Sequence, residues 1–173
     1  AVYGNPTTLP VVEDSKLHAL SFYALSKLSA EKYVQLYDKL FNVKSCIVRF
    51  SNVYGPLQPN GVITTFISQL IEGQNPTIYN GNQTRDFIYV KDVALACIQS
   101  MLSEEIGIFN ISSNTEISIQ HLYKEIAQLV GVHTEPVYES LREGEIERSV
   151  LSNVKAIRSL GWTPTYRLQE GLK

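Results

Sequence analysis

One long helix is predicted over residues 20–42, because apolar side chains recur there at intervals that return to one helical face. These apolar positions are Leu25, Leu28, Tyr33, Leu36 and Leu40. Residues 45–50 then form a short, mostly apolar run without alternation, which is typical of a parallel strand covered on both faces. A helix followed by a buried strand predicts an α/β fold.

The rest of the chain continues this alternation of helices and strands. Two prolines and two glycines predict an ordered loop at residues 52–61. Helical periodicity returns at residues 62–72 and ends at Gly73. Ser118 is the predicted N-cap of a helix that runs to Val130. Shorter strands are predicted at residues 77–79, 106–111 and 135–138, and shorter helices at residues 92–102 and 153–160.

Composition narrows the classes of function. A chain of 173 residues with 44% hydrophobic and 18% charged residues can bury one core of ordinary size. Its formal net charge of −2, with dispersed lysines and arginines, predicts no nucleic-acid partner. Cys46 and Cys97 lie in apolar surroundings that favour buried free thiols, and no signal-peptide pattern or membrane-spanning run is recognised. We therefore predict a cytoplasmic protein without a membrane partner.

A tyrosine followed four residues later by a lysine lies inside the long predicted helix. At this spacing Tyr23 and Lys27 share one helical face. A neighbouring ammonium group favours the phenolate form of a tyrosine, which makes the hydroxyl a usable proton donor and acceptor near neutral pH. This chemistry suits the interconversion of alcohols and carbonyl compounds. The pair alone is a weak signal, so the hypothesis depends on the motifs around it.

Five short segments accompany this pair along the chain. They are residues 2–4 (Val-Tyr-Gly), 49–56 (Arg-Phe-Ser-Asn-Val-Tyr-Gly-Pro), 81–93 (Gly-Asn-Gln-Thr-Arg-Asp-Phe-Ile-Tyr-Val-Lys-Asp-Val), 142–145 (Arg-Glu-Gly-Glu) and 160–164 (Leu-Gly-Trp-Thr-Pro). With Tyr23 and Lys27 they resemble the extended short-chain dehydrogenase/reductase superfamily, in its nucleotide-sugar epimerase and dehydratase branch. The resemblance implies the later part of a Rossmann-type doubly wound parallel sheet plus a smaller α/β substrate-binding region.

The resemblance also implies a catalytic pair and a cofactor. In such enzymes the tyrosine, here Tyr23, exchanges a proton with a sugar hydroxyl while NAD takes a hydride from the same carbon. Lys27 would favour the phenolate and hydrogen-bond the nicotinamide ribose. The backbone at Phe50 and Ser51 would meet the nicotinamide carboxamide, at the carboxyl end of a strand where such sheets bind ligands. NAD is therefore the expected cofactor, with these four residues as its contacts.

A nucleotide sugar, expected to be a UDP-sugar, is the substrate that the resemblance implies. Asn52 would bind the sugar diphosphate, and Val62 and Thr64 would line the uracil and sugar pocket. Arg85 and Arg142 would contact the diphosphate and ribose, because guanidinium groups form bidentate hydrogen bonds that lysine does not reproduce. For Arg85 the competing interpretation is an ion pair with a nearby aspartate, and for Arg142 it is a surface position.

The implied domain division is discontinuous. Residues 1–55, joined by roughly residues 87–112, form a partial NAD-binding Rossmann domain, and residues 56–173 form mainly the substrate-binding region. None of the ten glycines forms the glycine-rich turn of a dinucleotide site, so we expect the chain to be a fragment of a longer enzyme. Relatives usually dimerise through helices, which implies a homodimer that uses the long helix. The histidines lack metal-ligand spacing, so no metal site is predicted.

The residue before the Val-Tyr-Gly segment guides the choice among reactions. The family's 4,6-dehydratases and UDP-glucuronate decarboxylases carry a catalytic carboxylate there, because these reactions need an additional acid or base. Here that residue is Ala1. We therefore expect NAD-dependent epimerisation at C4 of a nucleotide sugar of the UDP-glucose/UDP-galactose type, through a transient 4-keto intermediate. The alternatives are a nucleotide-sugar 4,6-dehydratase, a 4-keto sugar reductase and a non-catalytic nucleotide-sugar binding module.

Overall fold

Helices and short strands alternate along the chain in a computed structural model, which describes residues 1–79, 82–132, 134–140 and 145–173. The helices are α1 (Phe22–Phe41), α2 (Val62–Ile71), α3 (Val90–Leu102), α4 (Ile119–Val130), α5 (Val154–Leu160) and α6 (Leu168–Gly171). The strands are β1 (Cys46–Phe50), β2 (Asn52–Tyr54), β3 (Thr77–Tyr79), β4 (Thr84–Arg85), β5 (Phe87–Tyr89), β6 (Gly107–Ile111), β7 (Ile117–Ser118) and β8 (Val137–Glu139).

The long predicted helix is α1, and both of its ends have an identifiable cause. Ser21 adopts an extended conformation, and its hydroxyl oxygen accepts a hydrogen bond from the Ala24 amide at 3.1 Å. Asn42 follows the last turn with a φ of 53°, a left-handed conformation that asparagine tolerates. Ser118 caps α4 in the same way, because its hydroxyl accepts from the His121 amide at 3.0 Å. Both helices are therefore confirmed.

Parallel pairing dominates the sheets. β1 pairs in parallel with β6 over five residues, from Cys46 opposite Gly107 to Phe50 opposite Ile111. β2 pairs in parallel with β5, and β3 pairs in parallel with β8. The short strands β4 and β7 are antiparallel. Parallel strands separated in sequence by helices confirm the predicted α/β class.

The segment directly after β1 is not entirely the loop that its prolines and glycines predict. Asn52–Tyr54 forms β2 alongside β5, and the Asn52 amide donates to the Asp86 carbonyl oxygen at 2.8 Å. The loop begins only at Gly55. The prediction was wrong because three residues carry too little periodicity to reveal a strand, and the partner strand lies far along the chain.

A buried tryptophan organises the core beside β1 and β6. Trp162 is fully buried, and its indole N–H donates to the Asp92 backbone oxygen at 3.0 Å. Phe109 and Ile111 of β6 and Ala96 of α3 pack in the same cluster. This cluster fixes α3 and α5 against the sheet that carries the end of β1.

Two further clusters hold the remaining segments. Phe66 of α2 packs in one cluster with Leu122 of α4. In the other cluster Val2 packs with Val11 and Leu151. Val11 and Leu151 also form an isolated parallel β-bridge. The second cluster keeps the first residues of the chain beside β1.

Helix α1 presents most of its apolar side chains outward. Its buried residues are Ala24 and Glu31. Tyr33, Tyr37 and Phe41 are each more than half exposed. The homodimer expected through this helix stays a prediction.

Candidate active site

The predicted catalytic pair lies on an exposed face in the first half of α1. The Lys27 Nζ lies 5.4 Å from the centroid of the Tyr23 ring, which is a cation–π distance. Tyr23 is 63% exposed, so its hydroxyl is accessible to a ligand. An ammonium charge beside an accessible phenol suits proton exchange with a bound alcohol.

These two residues border a cavity of about 680 Å³ beside β1. Phe50, Ser51 and Asn52 line the same cavity, so five of the predicted site residues meet there. The volume lies within the range of small-molecule sites. The expectation that β1 is covered on both faces is wrong, because residues 46–48 are only half-buried where they line the cavity.

The carboxyl end of β1 presents backbone groups to this cavity. The Ser45 carbonyl oxygen accepts from the Gly107 amide, and the Ser51 amide donates to the Ile111 carbonyl oxygen, each at 3.0 Å. Because bonding groups alternate in direction along a strand, the N–H and C=O of Phe50 point away from β6. One donor and one acceptor on that side match a carboxamide. The end of β1 therefore offers the groups that a nicotinamide carboxamide would need, and the cofactor contact of Phe50 and Ser51 stays a prediction.

Arg85 lies close to Asn52 but does not line the cavity. The Asn52 amide bonds to Asp86, the residue that follows Arg85. Asp86 and Asp92, the nearby aspartates, accept hydrogen bonds from backbone amides and hydroxyl groups instead. Among the described residues, Arg85 forms no salt bridge with a carboxylate. Burial lowers its pKa while the charge of Glu145 raises it, and the side chain is half-buried; its contact with the diphosphate stays a prediction.

The other predicted substrate residues lie elsewhere. The Thr64 hydroxyl donates to the Gln58 carbonyl oxygen at 3.1 Å and so holds the loop before α2. Val62 packs against the cluster formed by α2 and α4. Arg142 lies outside the described residues. The substrate-binding roles of these three residues stay predictions.

The cavity wall contains a buried ionic group that the sequence motifs did not predict. Glu31 and Arg49 both line the cavity and form two hydrogen bonds with each other, at 2.9 and 2.7 Å. Arg49 also donates to the Tyr3 hydroxyl at 2.7 Å. Burial raises the pKa of Tyr3, and the hydrogen bond from Arg49 acts in the opposite direction. The sequence signal for Glu31 was the four-residue spacing that continues from Tyr23 and Lys27.

The described part of the chain shows neither a metal-ligating cluster nor a membrane-spanning helix. Those residues contain no group of three or more histidine, cysteine, aspartate or glutamate side chains that could hold a metal ion. In the same residues, no helix has both the length and the apolar character needed to cross a bilayer. Cys46 and Cys97 are half-buried free thiols.

Comparison with known proteins identifies the family of this chain. A family model described as GDP-mannose 4,6 dehydratase matches residues 1–173, which is the whole chain. The chain belongs to the NAD-dependent epimerase/dehydratase family. It is 35% identical over 178 residues to the UDP-glucose 4-epimerase of Mycolicibacterium smegmatis, covering 99% of this chain and 57% of that protein.

Solved structures of this epimerase/dehydratase family superpose on the chain. The UDP-glucose 4-epimerase of Thermotoga maritima with UDP-glucose has a TM-score of 0.94 and 33% identity, covering 100% of this chain and 58% of its own. The UDP-glucuronic acid 4-epimerase of Bacillus cereus, in complex with UDP-glucuronic acid and NAD, has a TM-score of 0.93 and 31% identity, covering 99% and 56%. These similarities confirm the predicted Rossmann-type fold and NAD as the family's cofactor. The chain spans somewhat more than half the length of each relative.

Proposed function

We propose that the protein containing this chain is an NAD-dependent nucleotide-sugar 4-epimerase acting on a UDP-sugar of the UDP-glucose/UDP-galactose type. The proposal is supported by the cavity that Tyr23 and Lys27 share with Phe50, Ser51 and Asn52. It is also supported by the family and by the epimerases among its relatives. These similarities extend to dehydratases, so the choice of reaction depends on the residues around the cavity.

Four residues that line the cavity would each have a part in this reaction. Tyr23 would take the proton of the sugar 4-hydroxyl at its phenolic oxygen and later return a proton to the 4-keto oxygen. Lys27, whose Nζ lies 5.4 Å from the tyrosine ring centroid, would hydrogen-bond the nicotinamide ribose of the cofactor. The Phe50 backbone would hold the carboxamide of the cofactor, and Asn52 would bind the diphosphate. When bound, NAD supplies a hydride acceptor that can return the hydride to either face of the 4-keto sugar.

The carboxylate side chains that line the cavity favour epimerisation over the elimination of water. Elimination requires an acid or base in addition to the tyrosine. Among the described residues that line the cavity, Glu31 is the one carboxylate, and both of its oxygens accept from Arg49. Ala1 occupies the position at which the family's dehydratases carry their carboxylate. Epimerisation needs only the tyrosine and the returned hydride, so it is the reaction that this set of residues supports best.

The direct test is product analysis with the purified protein that contains residues 1–173. UDP-glucose is supplied without added cofactor or reductant, and nucleotide sugars are separated by ion-exchange chromatography. Formation of UDP-galactose would support the proposal. A 4-keto-6-deoxy sugar would instead identify a 4,6-dehydratase, which is the runner-up. Binding of UDP-glucose with no product would favour another sugar or a binding module.

A further inference from the structure

The two side chains of helix α1 that are buried against the rest of the described chain form an unusual pair. They are Ala24, which offers one methyl group, and Glu31, which carries a charge. A fully buried apolar stripe, the usual means of fixing a helix, is not seen on α1 in the described structure. Leu28 is partly buried against the cluster that contains Val2, and Glu31 adds a buried charged contact that can set the orientation of the helix more narrowly.

A bidentate ion pair holds this carboxylate. Arg49 Nε donates to Glu31 Oε1 at 2.9 Å, and Arg49 Nη2 donates to Glu31 Oε2 at 2.7 Å. The two side chains are only 6% and 10% exposed. Two parallel hydrogen bonds fix the carboxylate in the guanidinium plane, so they restrict both the rotation and the sliding of the helix.

The guanidinium is itself immobilised from the other side. Arg49 Nη1 donates to the Tyr3 hydroxyl at 2.7 Å and to the Glu13 carbonyl oxygen at 3.1 Å. The Tyr3 hydroxyl donates to Asn110 Oδ1 of β6 at 2.7 Å. Arg49 is thus tied to the first segment of the chain and, through Tyr3, to the neighbouring strand β6, so its guanidinium is held in a fixed orientation toward α1.

The pair lies between the two halves of the proposed active site. Glu31 follows Lys27 by one helical turn, about 6 Å along the axis. Arg49 immediately precedes Phe50, whose backbone faces the cavity. A displacement of α1 at Glu31 would therefore move Tyr23 and Lys27 relative to the end of β1.

We propose that Glu31 and Arg49 are positioning residues, whose bidentate pair sets the register of α1 so that Tyr23 and Lys27 face the end of β1. This inference rests on the proposed function. It assigns the pair to catalysis rather than to stability, in keeping with the weak net contribution of buried ion pairs to stability relative to well-packed apolar groups. Misplacement of a reacting group by about 1 Å lowers turnover by about 10²-fold.

Two variants separate positioning from stability in the protein that contains this chain. Glu31→Gln loses the bidentate geometry, and the double variant Glu31→Met with Arg49→Met replaces the pair by apolar side chains of similar length. For both we expect kcat to fall by about 10²-fold while KM for the nucleotide sugar changes by less than about twofold. Hydrogen exchange in α1 of the cofactor-free variants should also become faster than in wild type.

Arg148→Gln is the matched control, because Arg148 forms a similar bidentate pair with Glu116, at 2.8 Å for both bonds. The Arg148 side chain is 61% exposed, so this pair lies at the surface. The Arg148→Gln variant should leave kcat and α1 exchange unchanged. A folded double variant with wild-type kcat would overturn the inference, as would a change in KM alone or the unfolding of both pair variants. Tyr23→Phe in the same assay tests the proposed function separately from the inference about Glu31 and Arg49. If the Tyr23→Phe variant keeps wild-type turnover, the proposed function is wrong whatever the two pair variants show.

Discussion

Replacing Arg85 with alanine should weaken the binding of UDP by about 10- to 100-fold. Among the described contacts, its guanidinium donates from Nη1 to the Thr84 carbonyl oxygen at 2.8 Å. An arginine carries five N–H donors, so a forked pair of hydrogen bonds to a phosphate can still form. The side chain is half-buried, which limits the screening of its charge by solvent.

The expected magnitude follows from what alanine removes. Hydrogen bonds to charged groups contribute about 1.5–3 kcal/mol each, and a fully formed pair would approach twice this. Partial exposure of Arg85 and water that replaces its donors reduce the loss to about 1.5–3 kcal/mol in total. This free energy corresponds to the 10- to 100-fold change in Kd. Arg85→Lys keeps the positive charge but not the paired N–H donors of the guanidinium, so we expect UDP affinity to fall by about three- to tenfold.

Isothermal titration calorimetry with UDP measures this loss directly, since UDP contains the diphosphate without the sugar. Arg148→Ala is the control, because it removes an exposed arginine whose partner is Glu116. Equal UDP affinity in wild type and in folded Arg85→Ala protein would remove Arg85 from the binding site. An equal loss in the Arg148 variant would show a general effect of charge.

Two further predictions concern buried groups. Trp162→Phe should lower the free energy of unfolding, measured in urea, by about 2–4 kcal/mol, because it leaves a cavity and removes the hydrogen bond to the Asp92 carbonyl oxygen. The control Tyr166→Phe should change this free energy by less than about 0.5 kcal/mol. Equal losses in the two variants would contradict the role of Trp162 in the core. Burial raises the pKa of Asp86 despite the hydrogen bond from Ser113, so this group's contribution to stability should be lost as pH rises through its folded pKa. Asp86→Asn should lack that part of the slope, which begins above the ordinary carboxyl pKa of about 4, and identical slopes would refute the assignment.

The larger elements were predictable because their signals are local. The long helix α1 carries both an apolar period and a capping serine, Ser21, and β1 is an apolar run next to it. The strand Asn52–Tyr54 was not predictable in this way, since it is defined by a hydrogen bond to Asp86 rather than by its own pattern. Short strands of this kind depend on tertiary pairing.

The residues of the candidate site were likewise predictable only where their sequence signal is local. Tyr23, Lys27 and Asn52 could be found because their motifs are continuous in sequence, and the fold brings them to one cavity. The role of Glu31 could not be read from its helix alone, because its partner Arg49 lies 18 residues away on β1. A buried ion pair is visible only when two elements are packed against each other.

The central claim is that Tyr23 moves the proton in the reaction of a nucleotide sugar. The most direct measurement is the kcat of Tyr23→Phe for interconversion of UDP-glucose and UDP-galactose, together with the Kd for UDP-glucose. We predict a fall in kcat of about 10²-fold or more with a Kd within about twofold of wild type, because phenylalanine removes the hydroxyl and keeps the ring. Turnover close to that of wild type would contradict the account.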